Sequence, residues 1–174
     1  MTENENPCVA AEDVFSGQER ELVRLLREKG WHVSTAESLT GGMISAQITS
    51  VPGASEVFEC GVCSYSNRIK QELLGVSREL LQKDTEYSAA CAAAMAEGVR
   101  RLAGAELGIS STGIAGPGGG TPDKPVGTVY VGISTKNNTR AYELHLGAGN
   151  DRHKNRVLSA ELAVFYALTA LREE

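Results

Sequence analysis

Leu22, Val23, Leu25 and Leu26 form an apolar stripe at helical spacing. Ser16-Gly17-Gln18-Glu19 ahead of them has the form of a capping box, and Gly30 stands where a helix ends in a left-handed residue, so a helix is predicted over about 17–29. Trp31 to Ala36 alternates loosely and runs into Glu37-Ser38-Leu39-Thr40-Gly41-Gly42, after which Met43, Ile44, Ala46 and Ile48 return to helical spacing. That is a strand, a polar glycine turn and a helix. Val51-Pro52-Gly53-Ala54 breaks the helix, Val57 to Tyr65 reads as a second strand, and Ser66 or Asn67 caps a short helix through Leu74 that Gly75 closes.

Ser77 to Lys83 is a short helical piece, and Ser88 opens an alanine-rich helix to about Leu102 with Gly104 after it. Leu107 to Ser111 is a compact third strand. Thr112 to Pro125 holds too many glycines and prolines for a helix and is predicted as a long loop. Gly127 to Ser134 and Arg140 to Leu146 are two strands joined closely enough for an antiparallel hairpin, and Asp151 caps a final helix to Leu171. The order of elements is that of an α/β fold with a mixed sheet, with no internal repeat and no linker. Residues 1–15 lack periodicity and read as a loosely held tail ahead of one domain, 16–174.

A length of 174 residues agrees with one domain, and 41% hydrophobic with 22% charged residues is ordinary globular usage. The net charge is −5 with no lysine or arginine run, which argues against nucleic acid as a partner. No stretch approaches the roughly 18–20 apolar residues of a membrane span, and the start, MTENENP, lacks the regions of a signal peptide, so a cytoplasmic protein without a membrane partner is expected. Of Cys8, Cys60, Cys63 and Cys91, the pair at 60–63 falls in a predicted strand, where residues three apart face opposite ways. No second Cys/His pair completes a tetrahedral site, so reduced thiols and no metal are expected.

Three loops follow three strands, at 37–42, 64–70 and 112–125, the end of an open α/β sheet where ligands bind. In the first, a hydroxyl precedes paired glycines at a helix start, so that Thr40, Gly41 and Gly42 can present backbone N–H groups to an anion while Ser38 serves as nucleophile; Ser38 and Thr40 also suit plain N-caps. Tyr65 and Lys70 bracket the second. A lysine near a helix start is either solvated or, if buried, has its pKa lowered and acts as a base toward a serine. In the third loop no phosphate-loop string is present, but Gly116, Gly118 and Gly119 can form a backbone nest for phosphate, with Thr112 at the strand end as an oxyanion donor. Arg152 at the start of the last helix can fork onto a phosphate or carboxylate.

The strings AESLTGG, YSNRIKQELLGVS and STGIAGPGGGTPDKPVGTV, in this order and spacing, resemble the CinA C-terminal domain family over about residues 17–172. The resemblance implies a three-layer α/β/α sandwich with a mixed, mostly parallel sheet. It also implies cofactor-free hydrolysis of the carboxamide of nicotinamide mononucleotide to nicotinic acid mononucleotide and ammonia. On this chain, Ser38 falls on the nucleophile, Lys70 on its base, Tyr65 on the tyrosine that positions them, and Thr112 and Arg152 on the remaining polar residues of the site. Either the glycine loop or Arg152 would take the substrate phosphate. Leu39 stands where many members have cysteine, and 84–88, DTEYS, departs from the usual valine-serine pattern, neither being expected to touch the dyad. The larger N-terminal domain of full-length CinA proteins is not in the chain, so a stand-alone deamidase that forms a homo-oligomer is expected. A non-catalytic nucleotide-binding or competence-related interaction module, and an amidase for another small amide, remain alternatives.

Overall fold

The structure, a computed structural model, describes residues 17–147 and 149–174. Along the chain it runs α1 (Gln18–Lys29), β1 (Val33–Glu37), α2 (Met43–Thr49), a 3-10 turn (Ala54–Glu56), β2 (Phe58–Cys63), α3 (Asn67–Leu74), α4 (Arg78–Asp84), α5 (Ala89–Ala103), β3 (Leu107–Gly113), β4 (Thr128–Ser134), β5 (Thr139–His145) and α6 (Arg152–Glu173). Helix ends follow local chemistry. Ser66, Ser77, Ser88 and Asp151 each accept a hydrogen bond from an N–H three residues on, capping α3, α4, α5 and α6. Gly30, Gly75 and Gly104 end α1, α3 and α5 in the left-handed conformation. The predicted Ser16 cap and the tail lie outside the described residues; α1 follows Gly17.

The five strands lie in the order β2-β1-β3-β4-β5. β1 pairs in parallel with β2 and β3, and β4 pairs antiparallel with β3 and β5. Every residue of β1, β3 and β4 is buried, as strands in the middle of a sheet covered on both faces should be, although β1 and β3 carry several polar side chains. On one face, Leu22, Leu26, Ile44, Val164 and Leu171 of α1, α2 and α6 pack on Val33, Ile109 and Val131; on the other, Leu74, Met95 and Val99 of α3 and α5 enclose Ala36. The fold is thus an α/β/α sandwich with a mixed sheet. Among the described residues no helix is long and apolar enough to cross a membrane.

One prediction of extent is corrected. β3 continues through Gly113, because Thr112 and Gly113 pair with Tyr130 and Val129 of β4, so the long loop begins at Ile114. The register aligns Glu37 with both Cys63 and Ser111, so β1, β2 and β3 deliver their carboxyl ends to one side, between strands whose connections leave in opposite directions.

Helix α5 sits on the sheet at backbone distance. A Cβ on Gly108 would lie 2.2 Å from the Ala96 carbonyl oxygen, one on Gly132 2.3 Å from that of Ala92, and the Ser110 hydroxyl donates to Ala92 O at 2.6 Å. The same holds one layer out, where a Cβ on Gly98 would lie 2.0 Å from the Leu74 carbonyl oxygen of α3. This contact fixes the height of α3, which carries Lys70, over α5. Gly98→Ala is therefore expected to lower stability by about 1–3 kcal/mol, read as a reduced midpoint in urea unfolding; an unchanged midpoint would show that α3 moves freely on α5.

Candidate active site

The turn after β1 is built around a buried carboxylate. Glu37 is fully buried and accepts hydrogen bonds from the N–H groups of Gly42 (2.8 Å), Ile44 (3.0 Å) and Ser45 (2.8 Å), and from the hydroxyls of Thr40 (2.7 Å) and Ser45 (2.7 Å). Its side chain folds back across the turn and satisfies the first N–H groups of α2. From the other side, Arg156 of α6 donates Nε to Leu39 O (2.9 Å) and Nη2 to Thr40 O (2.8 Å). The Ser38 N–H donates to Ser111 O at 2.9 Å. The short segment carrying Ser38 is thus tied to β3, α2 and α6.

Lys70 reaches this turn from α3. Only 1% of it is exposed, and its Nζ lies 3.3 Å from Ser38 Oγ and 2.9 Å from the Ser64 carbonyl oxygen. Burial pushes the Lys70 ammonium below the ordinary lysine range, against weaker upward pulls from Cys91 and Glu86. Cys91, beneath it on α5, has its thiol pushed up to about 11 by burial, so near neutral pH it is an uncharged thiol and its upward pull on Lys70 operates only in more alkaline solution. A neutral Lys70 amine that donates to Ser64 O keeps its lone pair for the Ser38 proton.

Above the pair opens a cavity of about 290 Å³ lined by Ser38, Tyr65, Lys70, Glu86, Tyr87 and Arg152 and by the loop from Gly113 to Gly119. Arg152 donates Nη1 to Gly116 O (2.8 Å) and Nη2 to the Tyr65 hydroxyl (3.0 Å), while the buried Asn155 donates to Ala115 O (3.1 Å). The start of α6 therefore holds the glycine loop in place. At the loop's other end, Lys124 Nζ donates to Tyr87 O at 2.5 Å and Thr85 Oγ1 at 3.3 Å. Burial, Glu86 and Tyr65 together push the Tyr87 phenol up. Among the described residues no three His, Cys, Asp or Glu side chains form a metal-binding group, and Cys60 and Cys63 are free thiols.

The structure brings together Ser38, Lys70, Tyr65, Arg152, Gly116, Gly118 and Gly119, and separates four other sequence candidates from them. Thr40 is fully buried and turned to Glu37 and to the Ser111 hydroxyl (2.6 Å). Gly42 gives its N–H to Glu37, and Gly41 lies against Arg156; neither lines the cavity. The helix start that was expected to bind an external anion is already filled by the chain's own carboxylate. Thr112 is also fully buried and donates its hydroxyl to Glu86 O at 2.6 Å, holding the cavity wall and not a reacting oxygen. Conversely, Leu39, Glu86 and Tyr87, at positions expected to lie apart from the dyad, line the same cavity as Ser38 and Lys70. Glu37 and Arg156 were missed as anchors. The spacing of Arg152 and Arg156, one helical turn apart on α6, was the available signal.

Two outcomes follow for stability. Glu37→Ala leaves several buried donors unpaired and is expected to cost on the order of 3 kcal/mol or more, seen as a large fall in thermal midpoint; a shift of a degree or two would contradict the anchor. Lys70→Met should raise stability near pH 7 by roughly 0.5–2 kcal/mol, measured by urea unfolding. The folded-state pKa of Lys70 lies below the unfolded value near 10.5, so the unfolded chain holds more protons between the two values and stability rises with pH across that window. Below it the burial cost is fully present, which is where the methionine relieves it. A variant less stable than wild type would mean that the lysine is not strained.

Comparison with known proteins agrees with this architecture. The CinA-like protein of Syntrophotalea carbinolica is 47% identical over 143 residues, 82% of this chain and 34% of that protein. The CinA-like protein of Kosmotoga olearia is 45% identical over 150 residues, 86% of this chain and 36% of that one. The chain thus spans about a third of the length of these relatives. The crystal structure of the competence/damage inducible protein CihA from Agrobacterium tumefaciens superposes with a TM-score of 0.82 at 36% identity, covering 91% of this chain and 98% of that one. A CinA superfamily protein from Escherichia coli superposes with a TM-score of 0.85 at 26% identity over 99% of each chain. The model of the CinA C-terminal domain matches residues 16–174, and the chain belongs to that family.

Proposed function

We propose that the chain hydrolyses a small carboxamide by a serine-lysine mechanism, with nicotinamide mononucleotide as substrate. The observation that carries this reading is Lys70: a buried amine held out of the ordinary lysine range by desolvation, with no ion pair to a carboxylate among the described residues and a serine hydroxyl 3.3 Å away. Burying a lysine costs stability, and a pair of this kind is what turns a weak serine nucleophile into an effective one.

Neutral Lys70 takes the Ser38 proton as Ser38 Oγ bonds to the carboxamide carbon. The tetrahedral intermediate collapses as the same proton passes to the leaving nitrogen, releasing ammonia and an acyl-enzyme. Water, deprotonated by Lys70, then frees the carboxylate product and restores Ser38. The amides of Ser38, Gly42, Ile44 and Ser45 are engaged within the protein, and the place of Leu39 in the cavity lining supports its N–H as the oxyanion donor. Arg152, fixed by Tyr65 and Gly116, supports an assignment of the substrate's phosphate to the guanidinium.

The test is ammonia release, with product identification, from nicotinamide mononucleotide, its riboside and free nicotinamide without added metal. The mononucleotide is expected to turn over fastest, and Ser38→Ala to reduce turnover by about 10³-fold or more. Undiminished turnover in Ser38→Ala would reject the nucleophile. No turnover by folded wild type would favour the binding-module alternative, and faster turnover of the riboside or nicotinamide would favour an amidase for another amide. Because the base is the neutral amine and burial lowers its pKa, kcat/KM should rise with pH and level off below the ordinary lysine range. A Lys70→Arg variant is expected to lose turnover with its fold retained, and near-normal activity in it would remove the dyad.

A further inference from the structure

Three charged side chains line the cavity: Lys70, Glu86 and Arg152. The dyad accounts for the first. Among the described residues neither Glu86 nor Arg152 has an ion-pair partner within 4.0 Å. Arg152 is positioned by two neutral oxygens, Gly116 O and the Tyr65 hydroxyl, which orient the guanidinium without cancelling its charge. Glu86 is carried on backbone that is held firmly: its carbonyl accepts from Thr112 Oγ1 at 2.6 Å, and Lys124 pins Thr85 and Tyr87 on either side. Its carboxylate lies beside Tyr87 and within electrostatic reach of Lys70 and Cys91.

This placement works against the base. A carboxylate near Lys70 favours the ammonium and so opposes the deprotonation that the dyad requires. The conflict disappears once the carboxylate faces a cation in the occupied site. The cavity thus carries both charge signs, a carboxylate within electrostatic reach of the dyad and a guanidinium bound to the Tyr65 hydroxyl. For a ring whose carboxamide carbon sits at Ser38, Glu86 is the carboxylate of the cavity lining and Arg152 the guanidinium available to an acidic substituent.

We propose that Glu86, beside Tyr87 and in the same cavity as Tyr65, is the receptor for a fixed positive charge on the substrate ring, so that its carboxylate makes the site prefer a cationic to a neutral ring. The carboxylate supplies charge pairing and the tyrosines supply aromatic faces to the same cation. This deepens the amidohydrolase reading and rests on it for the position of the carboxamide.

The probes are nicotinamide mononucleotide and its dihydro form, which share carboxamide, ribose and phosphate and differ in ring charge. Binding of each is measured by calorimetry in Ser38→Ala and in the Ser38→Ala, Glu86→Gln double variant, so no turnover intervenes. Glu86→Gln should weaken the cationic form about tenfold while changing the neutral form less than about twofold. Equal weakening of both, or no weakening of the cationic form, would overturn the proposal; Glu86→Ala repeats the comparison should the glutamine variant not fold. Failure of the amidohydrolase reading appears separately, as no ammonia from wild type while the charge-dependent effect on binding persists.

Discussion

Keeping an amine out of water is the constraint on which this site depends. Lys70 has 1% of its surface exposed, its hydrogen-bond partners among the described residues are the neutral Ser64 carbonyl and Ser38 hydroxyl, and the group beneath it is a thiol that burial keeps protonated. Had an aspartate stood at Cys91, the ammonium would be stabilised and the base lost. The position is unfavourable for folding and useful for chemistry, a conflict that proteins retain at functional sites.

The fold meets that constraint with rigid, closely spaced layers. Backbone contact at Gly98, Gly108 and Gly132 draws α3 and α5 onto the sheet, so that an eight-residue helix brings Lys70 to the end of β1. On the facing side Glu37 uses both carboxylate oxygens to gather the amides and hydroxyls of the turn. Arg156 holds the same turn's carbonyls, and Arg152, one turn earlier on α6, holds the glycine loop. The start of one helix thereby reaches the turn after β1, Tyr65 after β2 and the glycine loop.

How much of this was legible in the sequence followed the range of the interactions. Caps and breaks depend on neighbouring residues, and Ser66, Ser88, Asp151, Gly75 and Gly104 mark helix ends where expected. The meeting of Ser38 and Lys70, 32 residues apart, depends on tertiary packing; the three loops at one end of the sheet left it open beside a solvated lysine, and the family resemblance named the pair. Thr40, Gly41 and Gly42 read as ligand-facing because a helix start does offer N–H groups; that Glu37 would fold back to take them is a side-chain conformation no spacing reveals. Thr112 misled for a related reason, since the end of β3 was placed too early and its hydroxyl turns to the Glu86 carbonyl. Glu86 and Tyr87 enter the cavity through that same contact and were not seen.

The most direct measurement is the pH titration of the Lys70 ε-carbon by ¹³C NMR, with the resonance assigned by its loss in Lys70→Arg. The account predicts a midpoint clearly below those of the other lysines, because burial without a paired carboxylate disfavours the charged form. A midpoint at or above the ordinary lysine value would mean that Lys70 remains an ammonium beside Ser38 and cannot be the base, which would contradict the account at its centre.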